Sequence, residues 1–271
     1  MPSNVEKFAC KKQSPSLSFL AGPDQKKIDS LKWLWGNSKV EKIMAVRGGA
    51  GSLRLLKLLE QSNFLKKHEK EIWGFSDLTS IQNYLFFKYG YSWVHAPMLT
   101  SNALLSANAA EMAAWKSCLA PKSKSTEVKL RLLSKKTKRP AVFKGKIFGG
   151  NLSCLTTLAG GPWISRQPAN KILFLEEVNE REYRVDRVLT QLSNSQIFSD
   201  VAAVVLGHFT NCPKAKQILT DWAARHEIAL FDGVKSGHDR PNLPLSMGVD
   251  ARIEISSQNT ALLELPSPSL R

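Results

Sequence analysis

The sequence predicts an α/β protein in which a parallel sheet is followed by a second β/α domain. Short apolar runs alternate with helix-patterned segments along the 271 residues, which implies parallel strands and crossover connections. Apolar residues make up 43% of the chain and charged residues 23%, as is typical of a soluble globular protein. Because no run of about 18 apolar residues occurs, no membrane span is expected.

The first half of the chain alternates between helix and strand patterns. Helices are predicted where apolar residues recur every three or four positions, and strands where short apolar runs end at turn-forming residues. The predicted helices cover residues 24–35, 52–59, a segment that begins near 76, and 103–115. The predicted strands cover residues 42–46, 71–75 and 93–98.

The net charge of +15 is concentrated in one segment. Residues 116–146 contain eleven Lys or Arg and a single acid, Glu127, which gives this segment +10 of the total. We interpret residues 116–141 as a basic linker, within which residues 128–133 have helical potential. A nucleic-acid-binding loop is the alternative, but it is disfavoured because aromatic residues are not interleaved with the basic ones.

The second half predicts a further β/α domain. With the linker, this divides the chain into an N-terminal domain (1–115), the linker (116–141) and a C-terminal domain (142–271). Strands are predicted from 142 to 149 and over 171–178, 202–209 and 228–233, with a closing hairpin of 251–256 and 261–265. Helices are predicted over 151–158, 183–196 and 215–226.

A serine lies where the apolar run of residues 71–75 passes into a helix pattern. Ser76 follows Gly74, a small residue that would relieve backbone crowding in a sharp strand-to-helix turn. On such a turn the serine hydroxyl projects from the carboxyl edge of a sheet. The local sequence is equally typical of a helix N-cap, and on its own it favours the N-cap.

A glycine-rich turn follows the predicted strand of residues 42–46. Arg47, Gly48 and Gly49 precede a helix, and glycines there let the backbone approach an anion. The spacing matches neither of the common nucleotide-binding patterns. A tight structural turn and an oxyanion or carboxylate cradle remain open.

Two further sites could carry chemistry. Glu176 and Glu177 end an apolar strand, and by alternation only one of them can point to a given side; both could also sit in a solvated strand end. His238 lies in a loop of turn-forming residues, where catalytic side chains are common. Together with Ser76 these residues supply a nucleophile, a base and an acid, although other pairings stay open.

The cysteines do not indicate a metal or disulfide framework. The four residues (Cys10, Cys118, Cys154 and Cys212) are scattered, with no Cys-x-x-Cys spacing. This pattern favours a reducing compartment, and we expect a cytoplasmic protein.

Eight motifs occur in a fixed order over nearly all of residues 18–250. The motifs are Leu20-Ala21-Gly22-Pro23-Asp24, Arg47-Gly48-Gly49-Ala50-Gly51-Ser52-Leu53-Arg54-Leu55-Leu56, Gly74-Phe75-Ser76-Asp77-Leu78-Thr79, His95-Ala96-Pro97-Met98, Gly149-Gly150-Asn151-Leu152-Ser153, Leu173-Phe174-Leu175-Glu176-Glu177, Tyr183-Arg184-Val185-Asp186-Arg187 and Gly237-His238. Taken together, this series resembles the serine LD-carboxypeptidases, the muramoyltetrapeptide carboxypeptidases of peptidase family S66.

The resemblance implies an N-terminal Rossmann- or flavodoxin-like sheet and a C-terminal swivelling β/α domain. The first sheet is expected to be shortened, because about 19 residues precede the first motif. Family members hydrolyse the amide bond to the terminal D-alanine of cytoplasmic murein tetrapeptides, in peptidoglycan recycling. A homodimer is implied, with no metal, no cofactor, no membrane and no nucleic acid.

The resemblance also assigns roles by motif. Ser76 is the expected nucleophile, Glu176 the orienting acid and His238 the base. The residues expected to bind the oxyanion or substrate are Arg47, Gly48, Gly49, Asp77 and Asn151.

Two other functions are compatible with the sequence. One is a self-immunity peptidase of the same family that hydrolyses a peptidyl-nucleotide toxin, for which Phe143 and Trp163 are the nearest candidates to stack on a nucleobase. The other is a non-catalytic homologue that binds anionic polymers through residues 116–146.

Overall fold

Two β-sheets organise the chain in the computed structural model, which describes residues 17–66, 70–119, 125–133, 141–164, 170–257 and 259–266. The helices of these residues are α1 (Asp24–Gly36), α2 (Ser52–Glu60), α3 (Thr79–Tyr89), α4 (Asn102–Leu105), α5 (Ala109–Leu119), α6 (Leu152–Thr156), α7 (Glu182–Ser193) and α8 (Ala215–Arg225). Their strands are β1 (Lys42–Met44), β2 (Glu71–Gly74), β3 (Trp93–His95), β4 (Thr126–Leu132), β5 (Val142–Asn151), β6 (Lys171–Val178), β7 (Val201–Thr210), β8 (Ala229–Asp232), β9 (Leu245–Met247), β10 (Asp250–Ile255) and β11 (Thr260–Leu265).

The first sheet has four strands in the order β1-β2-β3-β9. Strands β1, β2 and β3 are parallel, which confirms the α/β prediction for the N-terminal part. Strand β9 comes from late in the chain and pairs antiparallel with β3, with His95 opposite Leu245. The sequence did not predict β9, because three residues are too few to show a period.

The second sheet closes into a seven-stranded barrel in the order β10-β11-β4-β8-β7-β6-β5. Strands β5 to β8 are parallel, and α7 covers them with buried residues spaced four and three apart: Val185, Leu189 and Leu192. The closing hairpin was predicted correctly as β10 and β11, which pair antiparallel.

Two secondary-structure predictions were wrong. Residues 128–133 do not form a helix, because the exposed Lys129 and Arg131 alternate with the buried Leu130 and Leu132, a two-residue period that suits a strand. The corresponding strand, β4, pairs with β8 and β11, so this part of the predicted linker belongs to the barrel.

The single helix predicted over residues 103–115 is divided into α4 and α5. Asn108 and Glu111 form a capping box at the start of α5: the Glu111 amide donates to Asn108 Oδ1 at 2.9 Å, and the Asn108 amide donates to Glu111 Oε2 at 2.8 Å. This reciprocal pair of hydrogen bonds starts a new helix. The break between the two helices was not predicted, because the apolar spacing continues across it.

Helix α3 joins the two sheets. Asn83 both donates to and accepts from the backbone of Gly149 in β5, at 2.9 and 3.1 Å. Phe86 stacks on Phe148 with ring centroids 5.9 Å apart. The carboxyl end of β2 therefore lies beside the carboxyl ends of β5 and β6. Within the described ranges, no helix is long and apolar enough to cross a membrane.

Candidate active site

Ser76 occupies a strained turn at the end of β2. Its φ of 64° lies in the left-handed region, which residues with a side chain rarely adopt. Gly74, with φ 151°, makes the turn possible, because a Cβ there would lie 2.9 Å from Leu78 Cδ2. The Ser76 side chain does not cap a helix, so the N-cap interpretation is wrong. The geometry is that of a serine displayed on a strand-to-helix elbow.

The barrel brings an imidazole and a carboxylate to this serine. His238 Nε2 lies 3.1 Å from Ser76 Oγ, and His238 Nδ1 lies 2.6 Å from Glu176 Oε2. Glu176 lies near the carboxyl end of β6 and is fully buried. Gly237 allows the close approach, because a Cβ at that position would lie 3.0 Å from Glu176 Oε2. The three side chains form a continuous hydrogen-bonded series.

The two charged members of this series have shifted pKa values. Burial of His238 opposes its cation, but the hydrogen bond to Glu176 and the charges of Glu176 and Glu177 outweigh burial and raise the His238 pKa. Burial also raises the pKa of Glu176, against the opposing effect of His238. An imidazole with a raised pKa holds a proton more firmly, which suits a base that must accept one from a hydroxyl.

The glycine-rich turn lies directly against Ser76. A Cβ on Gly48 would lie 3.4 Å from Ser76 Oγ and 3.0 Å from Met98 Cε. Asp77 fixes this turn, since its Oδ2 accepts a 2.9 Å hydrogen bond from the Ser52 amide at the start of α2. A cleft of about 530 Å³ borders Gly48, Gly49 and Asp77.

Arg47 lies on the exposed edge of this cleft. Its Nε donates to the Gly48 carbonyl at 3.3 Å. Arg47, Gly48, Gly49 and Asp77 thus line one cleft next to the Ser76 turn, and their predicted role in binding the oxyanion or substrate stays a prediction.

Asn151 is near the site, but its side chain is engaged elsewhere. Its Nδ2 donates to Glu177 Oε1 at 2.7 Å, and its Oδ1 accepts from the Cys154 amide at 3.1 Å. Asn151 therefore caps α6 and holds Glu177, which leaves little of it free for the substrate contact expected from the motif.

Glu177 is bonded to groups at the start of α6, whereas Glu176 is bonded to His238, in agreement with alternation along β6. Besides Asn151, Glu177 accepts hydrogen bonds from the amides of Ser153 and Val178, each at 2.8 Å. Neither glutamate is solvated, because Glu176 and Glu177 are both buried.

Three residues without a predicted role lie directly behind this site: His95, Ser236 and Asn242. All are buried, and His95 Nδ1 lies 2.9 Å from Ser236 Oγ. His95 is part of the motif His95-Ala96-Pro97-Met98, to which the sequence analysis assigned no role. The sequence signal that could have placed His95 near the site was its position at the end of the strand β3, beside β2.

Two family models match the chain. The LD-carboxypeptidase N-terminal domain matches residues 3–96, and the LD-carboxypeptidase C-terminal domain matches residues 144–253. The chain belongs to the LD-carboxypeptidase family, peptidase family S66. It is accordingly a hydrolase of the carboxypeptidase type.

Relatives and solved structures agree with this family. The probable murein peptide carboxypeptidase of Bacillus subtilis is 28% identical over 91% of this chain and 78% of its own length. The murein tetrapeptide carboxypeptidase of Pseudomonas aeruginosa is 29% identical over 87% and 80%. The crystal structure of muramoyltetrapeptide carboxypeptidase from Oxalobacter formigenes superimposes with a TM-score of 0.77, at 27% identity, over 92% of this chain and 87% of that one.

The self-immunity branch of the family shares the fold. The structure of MccF in complex with glutamyl sulfamoyl guanosine superimposes with a TM-score of 0.74 at 21% identity, over 92% of this LD-carboxypeptidase and 83% of MccF. At that identity the likeness concerns the fold alone.

Proposed function

We propose that this protein is a serine LD-carboxypeptidase that releases the terminal D-alanine from murein tetrapeptides. Ser76 is the nucleophile, His238 the general base and Glu176 the acid that orients it. The observation that carries the proposal is the continuous hydrogen-bonded series from Ser76 Oγ through His238 to Glu176 Oε2. The names of the relatives from Bacillus subtilis and Pseudomonas aeruginosa support the substrate class.

The reaction follows from these contacts. As Ser76 Oγ attacks the carbonyl carbon of the scissile amide, His238 Nε2 accepts the hydroxyl proton, and Glu176 stabilises the resulting imidazolium. The carbonyl oxygen becomes an oxyanion, for which the Asp77 amide and an amide of the Gly48-Gly49 turn are the proposed donors. His238 then donates its proton to the departing D-alanine amine, and water hydrolyses the acyl-enzyme by the reverse sequence.

Arg47 and the glycine-rich turn supply a seat for the D-alanine carboxylate. A terminal carboxylate requires a cation or several amides, and both lie at the edge of the cleft beside Ser76. The exposed guanidinium of Arg47 has only the Gly48 carbonyl as its partner among the described residues, so it can turn toward an anion.

The assay measures D-alanine release from a murein tetrapeptide, followed as a loss of one alanine residue by mass spectrometry. The wild-type protein is expected to release it, and Ser76→Ala is expected to abolish release, whereas Ser199→Ala, at an exposed serine, should have no effect. A tetrapeptide that ends in L-alanine should be left intact. Folded wild-type protein that leaves the D-alanine tetrapeptide uncleaved, even at stoichiometric concentration, would refute the proposal.

The second candidate is the self-immunity peptidase activity, considered because MccF has the same fold. A nucleobase would need an accessible aromatic surface, and the two residues considered for it are poorly suited. Phe143 is buried and packs edge-on against Phe231, with centroids 5.6 Å apart, and Trp163 packs against Tyr84 at 6.1 Å. Faster cleavage of an aminoacyl sulfamoyl adenosine than of the tetrapeptide would reverse our order of preference.

We do not retain the non-catalytic alternative, because the chain belongs to a hydrolase family and Ser76, His238 and Glu176 are in hydrogen-bond contact. The basic segment lies partly outside the described residues. Within them, Arg131 pairs with Asp232 and Lys146 with Asp250. Action in the cytoplasm and a homodimeric state remain predictions.

A further inference from the structure

A series of hydrogen-bonded, buried polar side chains lies behind the loop that carries His238, and the proposed mechanism does not use it. His95 and Ser236 are completely buried, and Asn242 is 6% exposed. His95 belongs to β3 of the first sheet, whereas Ser236 and Asn242 flank His238 on the 236–242 loop. Buried polar side chains are costly unless they are paired, so this pairing requires an explanation.

The donor and the acceptor can be assigned for each hydrogen bond in this series. Asn242 Oδ1 accepts from the Ser236 hydroxyl and from the Gly237 amide, both at 3.2 Å. Since the hydroxyl has one proton, Ser236 Oγ must accept the 2.9 Å hydrogen bond from His95 Nδ1. His95 is then the neutral tautomer with its proton on Nδ1. Burial, with the nearby His238, lowers the His95 pKa to about 3, which agrees with a neutral ring.

This series of hydrogen bonds ends next to the proposed base. The Gly237 amide donates to Asn242, and Gly237 immediately precedes His238. The loop is also attached to β7, because the His208 amide donates to the Ser236 carbonyl at 2.9 Å and His208 Nε2 lies 2.9 Å from the Pro241 carbonyl. The bond from His95 connects this loop to the sheet that carries Ser76, in addition to the contact of His238 with Ser76 itself.

The ring of Phe75 completes this connection. Its centroid lies 5.3 Å from that of His95 and 4.7 Å from that of His238. Phe75 directly precedes Ser76, so a shift of either histidine ring is transmitted through it to the nucleophile turn. Hydrogen bonding and ring packing thus fix the same two groups, Ser76 Oγ and His238 Nε2, relative to each other.

We propose that His95, through Ser236 and Asn242, is a positioning residue that sets the distance between the nucleophile and the base. It contacts neither substrate nor reacting atoms, and its role rests on the proposed serine mechanism. Misplacement of reacting groups by about 1 Å can cost about 100-fold in rate. Loss of the His95–Ser236 hydrogen bond should therefore lower kcat more than it alters KM.

The test compares two substitutions of similar polarity. The side-chain amide of His95→Asn can place an N–H close to the position of imidazole Nδ1, whereas that of His95→Gln reaches toward Nε2 and leaves Ser236 without its donor. We expect His95→Gln to lower kcat about 10- to 100-fold with KM within about twofold, and His95→Asn to retain most of kcat. His226→Gln, at an exposed histidine, is the matched control.

Ser236→Ala removes the acceptor by a small change that the fold should tolerate. It should lower kcat to the same extent as His95→Gln, and the double variant should be no worse than either alone, because both remove the same interaction. Additive losses, or equal losses in His95→Asn and His95→Gln with unchanged unfolding temperatures, would refute the proposal. If the His95 variants do not fold, Ser236→Ala decides: an unchanged kcat overturns the proposal and a lowered kcat with normal KM supports it.

A second measurement separates this proposal from the substrate assignment. The rate at which a fluorophosphonate labels Ser76 depends on His238 but requires no peptide. If wild-type protein fails to cleave tetrapeptide, but is labelled at a rate that falls about 10-fold or more in His95→Gln, the substrate assignment fails and the positioning role stands. Labelling at the wild-type rate in both His95→Gln and Ser236→Ala overturns the positioning role, whatever the peptide result.

Discussion

The four-stranded sheet and the seven-stranded barrel each bring part of the site to the same place, and they hold it by different means. The first sheet contributes Ser76 through backbone geometry: a left-handed φ of 64° and a glycine at position 74 that the turn requires. The barrel contributes Glu176 and His238 through burial and charge, with raised pKa values for both groups.

This difference separates two kinds of defect. A change on the first sheet alters where the nucleophile and the oxyanion donors lie, but leaves the ionisation of His238 as it is. A change on the barrel alters the charges that stabilise the imidazolium, and with them the pH at which the enzyme is active. Measuring kcat together with the pH profile therefore identifies which sheet a substitution has disturbed.

The largest effect is expected on the barrel, from Glu176→Gln. The amide can still contact His238 Nδ1, but it carries no charge to stabilise the imidazolium and no longer selects the tautomer. By analogy with catalytic triads, kcat should fall by about 10⁴-fold. Glu182→Gln, at a half-exposed glutamate at the start of α7, is the control. A loss of less than about tenfold in kcat would show that Glu176 is not the orienting acid.

A smaller effect is expected on the first sheet, from Gly48→Ala. The added Cβ would lie 3.4 Å from Ser76 Oγ and 3.0 Å from Met98 Cε, where the attacked carbonyl oxygen is proposed to lie. We expect about a 100-fold loss of kcat, the size seen when one oxyanion donor is removed. Gly36→Ala, where a Cβ meets nothing within 4 Å, should have full activity. Unchanged activity in Gly48→Ala would place the oxyanion elsewhere.

A contrast between local patterns and distant contacts explains what the sequence could predict. Ser76, Glu176 and His238 could be proposed from the sequence because their motifs are short, continuous and in a fixed order, and the structure brings their side chains into hydrogen-bond contact. The alternation of Glu176 and Glu177 was predictable because a strand has a two-residue period. Long amphipathic elements such as α7 were also predictable, since a helix of 12 residues, which is more than three turns, shows its period clearly.

Features that depend on distant partners were not predictable. Strand β9 has three residues and owes its existence to the free edge of β3. Strand β4 is different, since the charged residues Glu127, Lys129 and Arg131 alternate with apolar residues in the sequence, and this two-residue period could have predicted a strand. Asn151 belongs to a motif from which substrate binding was expected, yet its side-chain amide donates to Glu177, 26 residues away.

The pH profile provides a prediction that distinguishes the two sheets. Because His238 must be neutral to act as a base, kcat/KM should rise as the pH rises through the His238 pKa, which lies above the ordinary value for histidine. Glu177→Gln removes a negative charge that favours the cation, so it should move this acid limb to lower pH. Gly48→Ala should leave the limb where it is. An identical shift in both variants would contradict the separation of geometry from charge.

The smallest effect is expected from Asp77→Ala, which tests how the first sheet holds its turn. The carboxylate accepts a hydrogen bond from the Ser52 amide at the positive end of α2, so its removal should lower the free energy of unfolding by about 1 kcal/mol. The backbone amide proposed for the oxyanion is retained, and kcat should therefore fall by less than about tenfold. Denaturant unfolding measures the first quantity and D-alanine release the second, with Asp29→Ala, at an exposed carboxylate on α1, as the control. A loss of kcat as large as that of Gly48→Ala, with stability unchanged, would mean that the Asp77 carboxylate takes part in catalysis, and that charge matters on the first sheet as it does on the barrel.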